Sequence, residues 1–542
     1  MHAPVVKNRN QSVALRPIGP SPVDTKPASE VSLRSWIAVL ASTLGAFMAV
    51  LNIQITNAAL PNIQGAIGAG IDDGGWISTA YLITEIVVIP LTGWLSRVFS
   101  TRTYLLVNST LFLVFSAGCA FTHDLSQMII MRGLQGFTGG VLIPMAFTII
   151  MTKLPQAKQP IGMALFAVSA TFAPAIGPTI GGYLNDNYGW QFIFYVNLLP
   201  GIPMLGMLFL SLDREPMNLP LLKHGDWPGI ITMAIGLASL QTVLEDGNKD
   251  DWFGSPYIVR LAIIACVALL LFLWIEFRTK EPLLNLRLLC RRNFGFGTAA
   301  NFFLGMALYG SVFILPLYLS IIQNYDAEQI GMVLAWVGIP QLVLIPLVPG
   351  LMKRIDARLL VAFGFILFAA SNFMCVHLDK DFAGPQFFWA NIVRAIGQAV
   401  VLAPLSAIAT SGIEKQSAGS ASALFNMTRN LGGAVGIALL QTFNTKREQF
   451  HSNILDGSVS LLNEQTRNHL QHLTNYFTTH GMVDKAYATH TAIVALGRGI
   501  RQQAAIMGYS DTFFLIGVFL IIAVIATLCL KKPDKLQSGA GH

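Results

Sequence analysis

Charged side chains are scarce in this sequence: Asp, Glu, Lys and Arg make up 12% of 542 residues, where a soluble domain carries about 25%. A soluble chain of this length would divide into several domains with polar surface at each boundary. There is no nucleotide-binding loop of the Walker type, no zinc-ligand spacing and no nucleophile elbow. That excludes a pump driven by ATP through such a loop, and it points to no cofactor, metal or enzymatic activity. Any energy source must be an ion gradient or a partner. Cysteine is sparse too. Cys119, Cys266, Cys290, Cys375 and Cys529 show neither metal spacing nor a disulfide framework, and they read as small packing residues. No cleavable signal is visible. The first 34 residues are polar, contain Pro and carry Lys7, Arg9, Arg16, Lys26 and Arg34, which reads as a cytoplasmic tail.

Long apolar runs are present instead. The chain is 53% hydrophobic, and runs of about 20 residues, the length a helix needs to cross the hydrocarbon core, recur from Ser35 to Leu530. Lipid offers the backbone no hydrogen-bond partners, so each run should be a helix. The expected spans are 35–60, 75–97, 103–122, 127–152, 160–184, 190–212, 227–245, 256–277, 294–322, 328–350, 358–377, 385–411, 417–442 and 509–530. The expectation is therefore an all-α polytopic membrane protein with 14 transmembrane helices. Its organisation would be a tail (1–34), a six-helix bundle (35–212), an inserted helix pair with linkers (213–293), a second six-helix bundle (294–530) and a tail (531–542).

Loop charge supports the even count. Arg97 and Arg102, Lys153 and Lys158, Arg278, Lys280, Arg287, Arg291 and Arg292, Lys353, Arg354 and Arg358, and Lys531, Lys532 and Lys535 all fall on one side. The other side is acidic, with Asp72, Asp73, Asp124, Asp186, Asp250, Asp251, Asp379 and Asp381. This is the positive-inside pattern, with both termini cytoplasmic, so the net charge of +7 reads as topology and not as nucleic-acid binding. One outer segment is long, 443–508, and holds His451, His469, His472, His480 and His490. Leu470, Leu473 and Phe477 sit at helical spacing there. It reads as an extracytoplasmic helical hairpin with a solvated or partner-contacting face.

An internal repeat links the two six-helix sets. Gly93-Trp94-Leu95-Ser96-Arg97 and Gly350-Leu351-Met352-Lys353-Arg354 end the second and tenth spans. Lys158-Gln159 with Gly162, and Lys415-Gln416 with Gly419, open the fifth and thirteenth. Both pairs are offset by 257 residues. Arg132, Gln135 and Pro144 match Arg394, Gln398 and Pro404 more loosely. Two related bundles can rock about a midplane site, which is alternating access.

Ionisable residues inside a membrane are functional candidates by default. Glu85 lies in mid-span, and Arg132, Arg394 and Arg429 are the intramembrane bases. A proton carrier must bind a proton on one side and release it on the other, and burial favours the uncharged form of a carboxyl. Glu85 is the carboxylate suited to that, with Arg132 tuning it; a structural role, paired with one of the arginines or hydrogen-bonded to a neighbour, is the alternative. Asn52 and Thr56 share a face of the first span, where they either line a cavity or bond between helices. Gln135, Asn301, Tyr309, Asn391, Gln398, Asn426, Arg429 and Asn430 are further candidate lining residues. Gly177, Pro178, Gly181 and Gly182 combine helix contact with a kink, and Gly432, Gly433 and Gly436 repeat the small-residue pattern.

With these residues assembled, the chain resembles the EmrB/QacA family, the 14-span drug:proton antiporters of the major facilitator superfamily. The resemblance covers nearly all of 35–530. It rests on Leu51-Asn52-Ile53-Gln54-Ile55-Thr56-Asn57-Ala58-Ala59-Leu60-Pro61, on Pro90-Leu91-Thr92-Gly93-Trp94-Leu95, and on Arg132-Gly133-Leu134-Gln135-Gly136. It rests equally on Gly177-Pro178 with Gly181-Gly182, on Trp190-Gln191-Phe192-Ile193-Phe194-Tyr195-Val196-Asn197, and on Asn426, Arg429 and Gly432-Gly433. The resemblance implies the major facilitator fold, two six-helix bundles plus two extra helices, in a bacterial inner membrane. It implies export of lipophilic compounds against protons, with Gly93, Arg97 and the Gly177–Gly182 segment as conformational motifs. It also implies a periplasmic adaptor (EmrA-like) and an outer-membrane channel as partners. Two departures stand out. The family commonly has Asp where Asn52 stands, and Asp and Gly where Arg97 and Ser100 stand. The first moves proton coupling towards Glu85. Export of an endogenous metabolite, such as a siderophore or aromatic acid, is the competing transport reading. A non-transporting membrane receptor or scaffold is the reading from another class.

Overall fold

The computed structural model describes residues 31–532 except 224, 280, 281 and 483. The expected tails therefore lie outside the described residues save for 31–34, 531 and 532, as do Lys280 and the side chains of Asp72 and Lys415. Among the described residues there is no strand. Helices follow one another as α1 (Leu33–Ala66), α2 (Trp76–Val98), α3 (Thr101–Ala120), α4 (Leu125–Lys153), α5 (Gln159–Tyr188), α6 (Phe192–Ser211), α7 (Trp227–Asp246) and α8 (Pro256–Arg278). Then come α9 (Arg292–Ile321), α10 (Ala327–Arg354), α11 (Ala357–Phe373), α12 (Gly384–Ala409), α13 (Ala418–Ser458), α14 (Glu464–Thr479) and α15 (Lys485–Leu528). Twelve of these are long and apolar enough to cross a bilayer. Of the expected spans, α11 is apolar but has only 17 residues, and α13 is more polar along its length.

Helix starts follow local chemistry. Asp124, Asp226, Asp326 and Asp356 each turn a side-chain oxygen onto a backbone N–H of the first turn of α4, α7, α10 and α11, matching donors that the helix leaves open. Ser100 caps α3 with φ 63°, a backbone conformation that glycine adopts freely and serine rarely does. α4 breaks at Gly140-Val141, between Leu125–Gly139 and Leu142–Lys153.

The packing pairs the helices of the two halves in the same order as the sequence repeat. α1 lies along α5 as α9 lies along α13; α2 lies on α4 as α10 lies on α12; α3 on α4 matches α11 on α12. α15 takes the place that α6 has in the first half, against α9 and α11. The halves meet along two related seams, α2 with α13 and α10 with α5. The remaining helices, α7 and α8, pack on each other, and α7 leans on α2 and α13.

Lipid gives helices no hydrophobic reason to associate, so close contact depends on small residues. Gly136 of α4 lies under the Tyr81 carbonyl of α2, and a Cβ at Gly140 would stand 3.0 Å from the Glu85 backbone. Gly432 and Gly436 do the same for α13 against Phe302 and Met306 of α9. Gly93 and Gly419 bring the backbones of α2 and α13 together at the end of their seam that lies on the basic face.

The segment 443–508 is no separate domain. At 1.5 Å per residue α13 and α15 run to roughly 60 Å, about twice the hydrocarbon thickness, and both project past the face opposite the basic loops. There α14 packs on α15, with Leu470, Leu473 and Phe477 half-buried. At the base of this hairpin Asp511 accepts from Arg447 Nε at 2.6 Å and lies 2.7 Å from His451 Nε2.

Gly136→Val should separate α2 from α4, since its side chain would occupy the Tyr81 backbone. We expect a loss of about 2 kcal/mol or more, read as a fall in thermal unfolding temperature in detergent, while Gly206→Val, which meets nothing within 4 Å, leaves it unchanged.

Candidate functional site

The sequence-predicted polar residues sort into three groups. The first surrounds Arg132, which is 1% exposed in the core of the first bundle. Its Nε donates to the Ile77 carbonyl at 3.1 Å, and one terminal nitrogen donates to Asn52 Oδ1 at 2.7 Å and Gln135 Oε1 at 2.8 Å. The guanidinium lies 4.4 Å from the Tyr81 ring, a cation–π distance. Thr56 donates to the Asn52 carbonyl at 2.8 Å. The oxygens of Asn52 and Gln135 thus hold Arg132 while their amide nitrogens have no partner among the described residues, and α1, α2 and α4 meet there.

The second group bridges the halves. Glu85 of α2 is 3% exposed and Arg429 of α13 is 1% exposed. Asn430 Nδ2 donates to Glu85 Oε1 at 3.4 Å, and Glu85 lies within electrostatic reach of Arg429 and, less strongly, Arg132. Among the described residues no nitrogen of Arg429 has a hydrogen-bond partner of good geometry; the Tyr309 hydroxyl lies close enough to act on the guanidinium, which faces the Phe166 ring at 5.6 Å. Tyr309, which packs on Gly433, is in reach of the same charges. Phe147 contacts Phe166 and Phe425 at 5.5 and 5.6 Å between ring centres. Asn301 Nδ2 donates to the Phe425 carbonyl at 2.7 Å, Asn426 Nδ2 to that of Ser422 at 2.9 Å, and Ser422 Oγ to that of Pro144 at 2.7 Å. An acid, a base and an aromatic cluster therefore share the interface between the two bundles.

The third group stays inside the second bundle and does not join Glu85. Asn391 donates to the Val333 carbonyl at 3.0 Å and Gln398 accepts from Gln341 at 2.8 Å. Arg394, the repeat partner of Arg132, is 1% exposed, yet its Nε and one terminal nitrogen have no partner. The motif residues divide as well. Gly177 and Gly181 face α1 at Gln54, Ile55 and Ala58, whereas Gly182 faces Ala327 of α10 in the other half. Pro178 sits between them inside α5. Gly93 touches Gly419 and Arg97 is exposed at the end of α2.

Two acids escaped the sequence reading. Glu276 of α8 is 4% exposed, with Oε1 accepting from Leu284 N–H at 3.2 Å, and half-buried Glu245 of α7 accepts from Gln241 at 3.0 Å. Each lies close to a helix end, where a charge reads as interfacial; spacing to the apolar face of the pair was the available signal.

The Major Facilitator Superfamily family model matches residues 42–437. The "Multidrug export protein EmrB" of Escherichia coli is 30% identical over 509 residues, 93% of this chain and 97% of its own. The "Colistin resistance protein EmrB" of Acinetobacter baumannii is 31% identical over 506 residues, 92% and 97%. The "Fatty acid resistance protein FarB" of Neisseria gonorrhoeae is 30% identical over 521, 96% and 100%. Among solved structures, the proton:xylose symporter XylE has the same fold, with a TM-score of 0.56 at 12% identity over 92% of this chain and 95% of that one.

Removing Arg132 would leave Asn52 Oδ1 without a donor and Gln135 Oε1 with only the Cys119 thiol, at about 1–3 kcal/mol for a group left buried and unpaired. Arg132→Met should therefore lower the unfolding temperature in detergent by several degrees, and Arg97→Met, at an exposed site, should not.

Proposed function

The chain belongs to the major facilitator superfamily and to its EmrB-like branch, and from that membership we propose that it exports hydrophobic or amphiphilic toxic compounds in exchange for protons. It is a multi-pass membrane transporter. The substrate class is taken from the relatives, whose names speak of multidrug export and of colistin and fatty-acid resistance. Aromatic side chains around the interface suit such a ligand, because Phe147, Phe166, Phe425 and Tyr309 offer apolar area beside the few polar groups that orient it. Asn52, Thr56, Gln135, Asn301, Asn391, Gln398 and Asn426 would line or support the cavity as the bundles rock.

The observation that carries the coupling is Glu85. Among the described residues it is the one buried carboxylate of the two six-helix bundles. Each proton returning through 100 mV releases about 2.3 kcal/mol, which at 1.36 kcal/mol per tenfold sustains a substrate gradient of roughly 50-fold. Glu85 would take that proton from the hairpin side and deliver it to the basic side, with Arg132 fixing the field around it. The bundles 35–212 and 294–530 would move as the two bodies, with 213–293 as an inserted pair. Gly93 and Gly182, which touch the other half, would be contacts along which they slide, while Gly177, Pro178 and Gly181 would shape α5 against α1 and Arg97 would end α2 at the exposed basic face.

The asymmetry of loop charge supports an orientation with the basic face and both termini in the cytoplasm of a bacterial inner membrane. The hairpin formed by α13, α14 and α15 would then stand outside. Its exposed Phe450, Ile454, Leu461, Leu462 and Tyr487 suit contact with a periplasmic adaptor that leads to an outer-membrane channel.

Proteoliposomes with an imposed pH gradient test the exchange. Wild-type protein should move a lipophilic substrate against the proton flow, and Glu85→Gln should abolish gradient-driven transport while substrate binding stays measurable. No gradient-dependent flux across a broad panel of compounds would overturn the reading. Photo-crosslinkers at Ile454 and Leu462 should capture an EmrA-like adaptor co-expressed with the transporter; capture only from the opposite face would refute the contact.

A further inference from the structure

We propose that Arg394 is a carboxylate site inside the second bundle: the free edge of its guanidinium takes the acid group of an amphiphilic ligand, apart from the interface of Glu85 and Arg429. That this ligand is also cargo rests on the export reading above; the site itself rests on geometry.

The two halves treat the repeated arginine differently. In the first, Arg132 gives Nε to the Ile77 carbonyl of α2 and a terminal nitrogen to Gln135, one turn along its own helix. In the second, the matching acceptors are engaged elsewhere. The 257-residue offset of the α2 and α10 ends sets Ile77 against Leu334, and the carbonyl beside it, on Val333, accepts from Asn391 at 3.0 Å. Gln398, one turn past Arg394, accepts from Gln341 of α10 at 2.8 Å. The sequence keeps the arginine and the glutamine and redirects the glutamine.

What remains is one edge of the Arg394 guanidinium. The residue is 1% exposed, and Nε and Nη2 have no acceptor among the described residues. These two nitrogens are neighbours on a single side of the planar group. Their N–H bonds run parallel, at the spacing that meets both oxygens of a carboxylate. A halide offers one acceptor atom to two donors and fits that fork less well. A guanidinium stays charged in proteins, and a buried charge is costly until it is paired. Among the described residues Cys375 of α11 is the one ionisable group in electrostatic reach, and a thiol is largely uncharged at neutral pH. Asn391, a turn before Arg394 on the same face, gives its Nδ2 to Val333 while its Oδ1 is buried without a partner. That oxygen suits a hydroxyl or N–H of the ligand beside its acid group.

The surroundings set the rest of the ligand. α10 and α11 pack on this stretch of α12 and bring buried Leu334, Val337 and Phe368, so a molecule that reaches the edge carries an apolar body. Glu85 and Arg394 lie outside each other's field. A carboxylate seated on Arg394 therefore neutralises that arginine without acting directly on the proposed proton carrier.

Full-length protein in nanodiscs, with tritiated naphthoate as the probe at neutral pH, tests the site by scintillation proximity over empty nanodiscs. Naphthoate should bind at least tenfold more tightly than naphthamide, which keeps the rings and loses the charge. Arg394→Met should weaken naphthoate at least tenfold and abolish its preference over the amide. Arg394→Lys, which keeps the charge and loses the paired edge, should fall between. Thermal unfolding of the same samples separates binding from structure. Without ligand, Arg394→Met should unfold no earlier than wild type, because it removes an unmatched charge; naphthoate should raise the unfolding temperature of the wild type and not of Arg394→Met. If Arg394→Met does not fold, Arg394→Lys and the comparison of acid with amide on the wild type carry the test. Equal binding of acid and amide, naphthoate binding that neither variant weakens, or displacement of naphthoate by an equal concentration of chloride overturns the site. Gradient-driven flux of naphthoate in proteoliposomes separates the two readings. Binding that depends on Arg394 without flux overturns the acid as cargo and leaves the site, and flux with binding indifferent to Arg394 overturns the site alone.

Discussion

A lipid bilayer gives the peptide backbone nothing to bond with, and from that single constraint most of this architecture follows. Every span must close its own hydrogen bonds as a helix. Every polar side chain that enters must find a partner inside the protein or remain uncompensated. Ser, Thr and Asn residues along the spans turn back onto carbonyls of their own helix, as Thr43, Thr92, Asn108 and Thr512 do. Arg132 finds a carbonyl on α2, an amide on α1 and another on its own helix. The guanidinium is less a free charge than a rivet for three helices.

The same constraint makes the exceptions informative. Arg429 and Arg394 keep nitrogens unmatched in the interior. Arg394 sits within one bundle. Arg429 sits at the boundary between two, next to Asn430, which donates to Glu85. Glycine completes the arrangement. Where helices belong to one body, Gly136, Gly140, Gly305, Gly432 and Gly436 bring backbones together and fix them.

Much of this was legible in the chain. A dozen or more apolar spans, loop asymmetry and the 257-residue offset follow from hydropathy and residue spacing, because a membrane span is specified by local composition. The packing pairs the helices of the two halves alike, with one substitution: α15 stands where a direct successor of α13 would, since the 443–508 segment intervenes. Glu85 was legible as a buried acid for the same local reason. Asn52 and Gln135 were legible only as polar positions. Whether they face a cavity or another side chain depends on the rotation of α1 and α4 about their axes, and a helix buried on most sides has little amphipathic signal to fix that rotation. Glu245 and Glu276 went unread because an acid near a helix end looks interfacial until its neighbours are known.

The sequence by itself determined a polytopic helical protein, its two related halves, the sidedness of its charge and the family to which its motifs point. These depend on the free energy of transferring short segments into lipid, which each segment carries alone. Tertiary structure decided the pairing: Arg132 with Asn52 and Gln135 within one bundle, and Glu85 with Asn430, in reach of Arg429, across two. Residues 80 and 345 positions apart become neighbours only through the packing of whole helices, and no local property of α2 could indicate that its one acid faces the thirteenth helix and not the fourth.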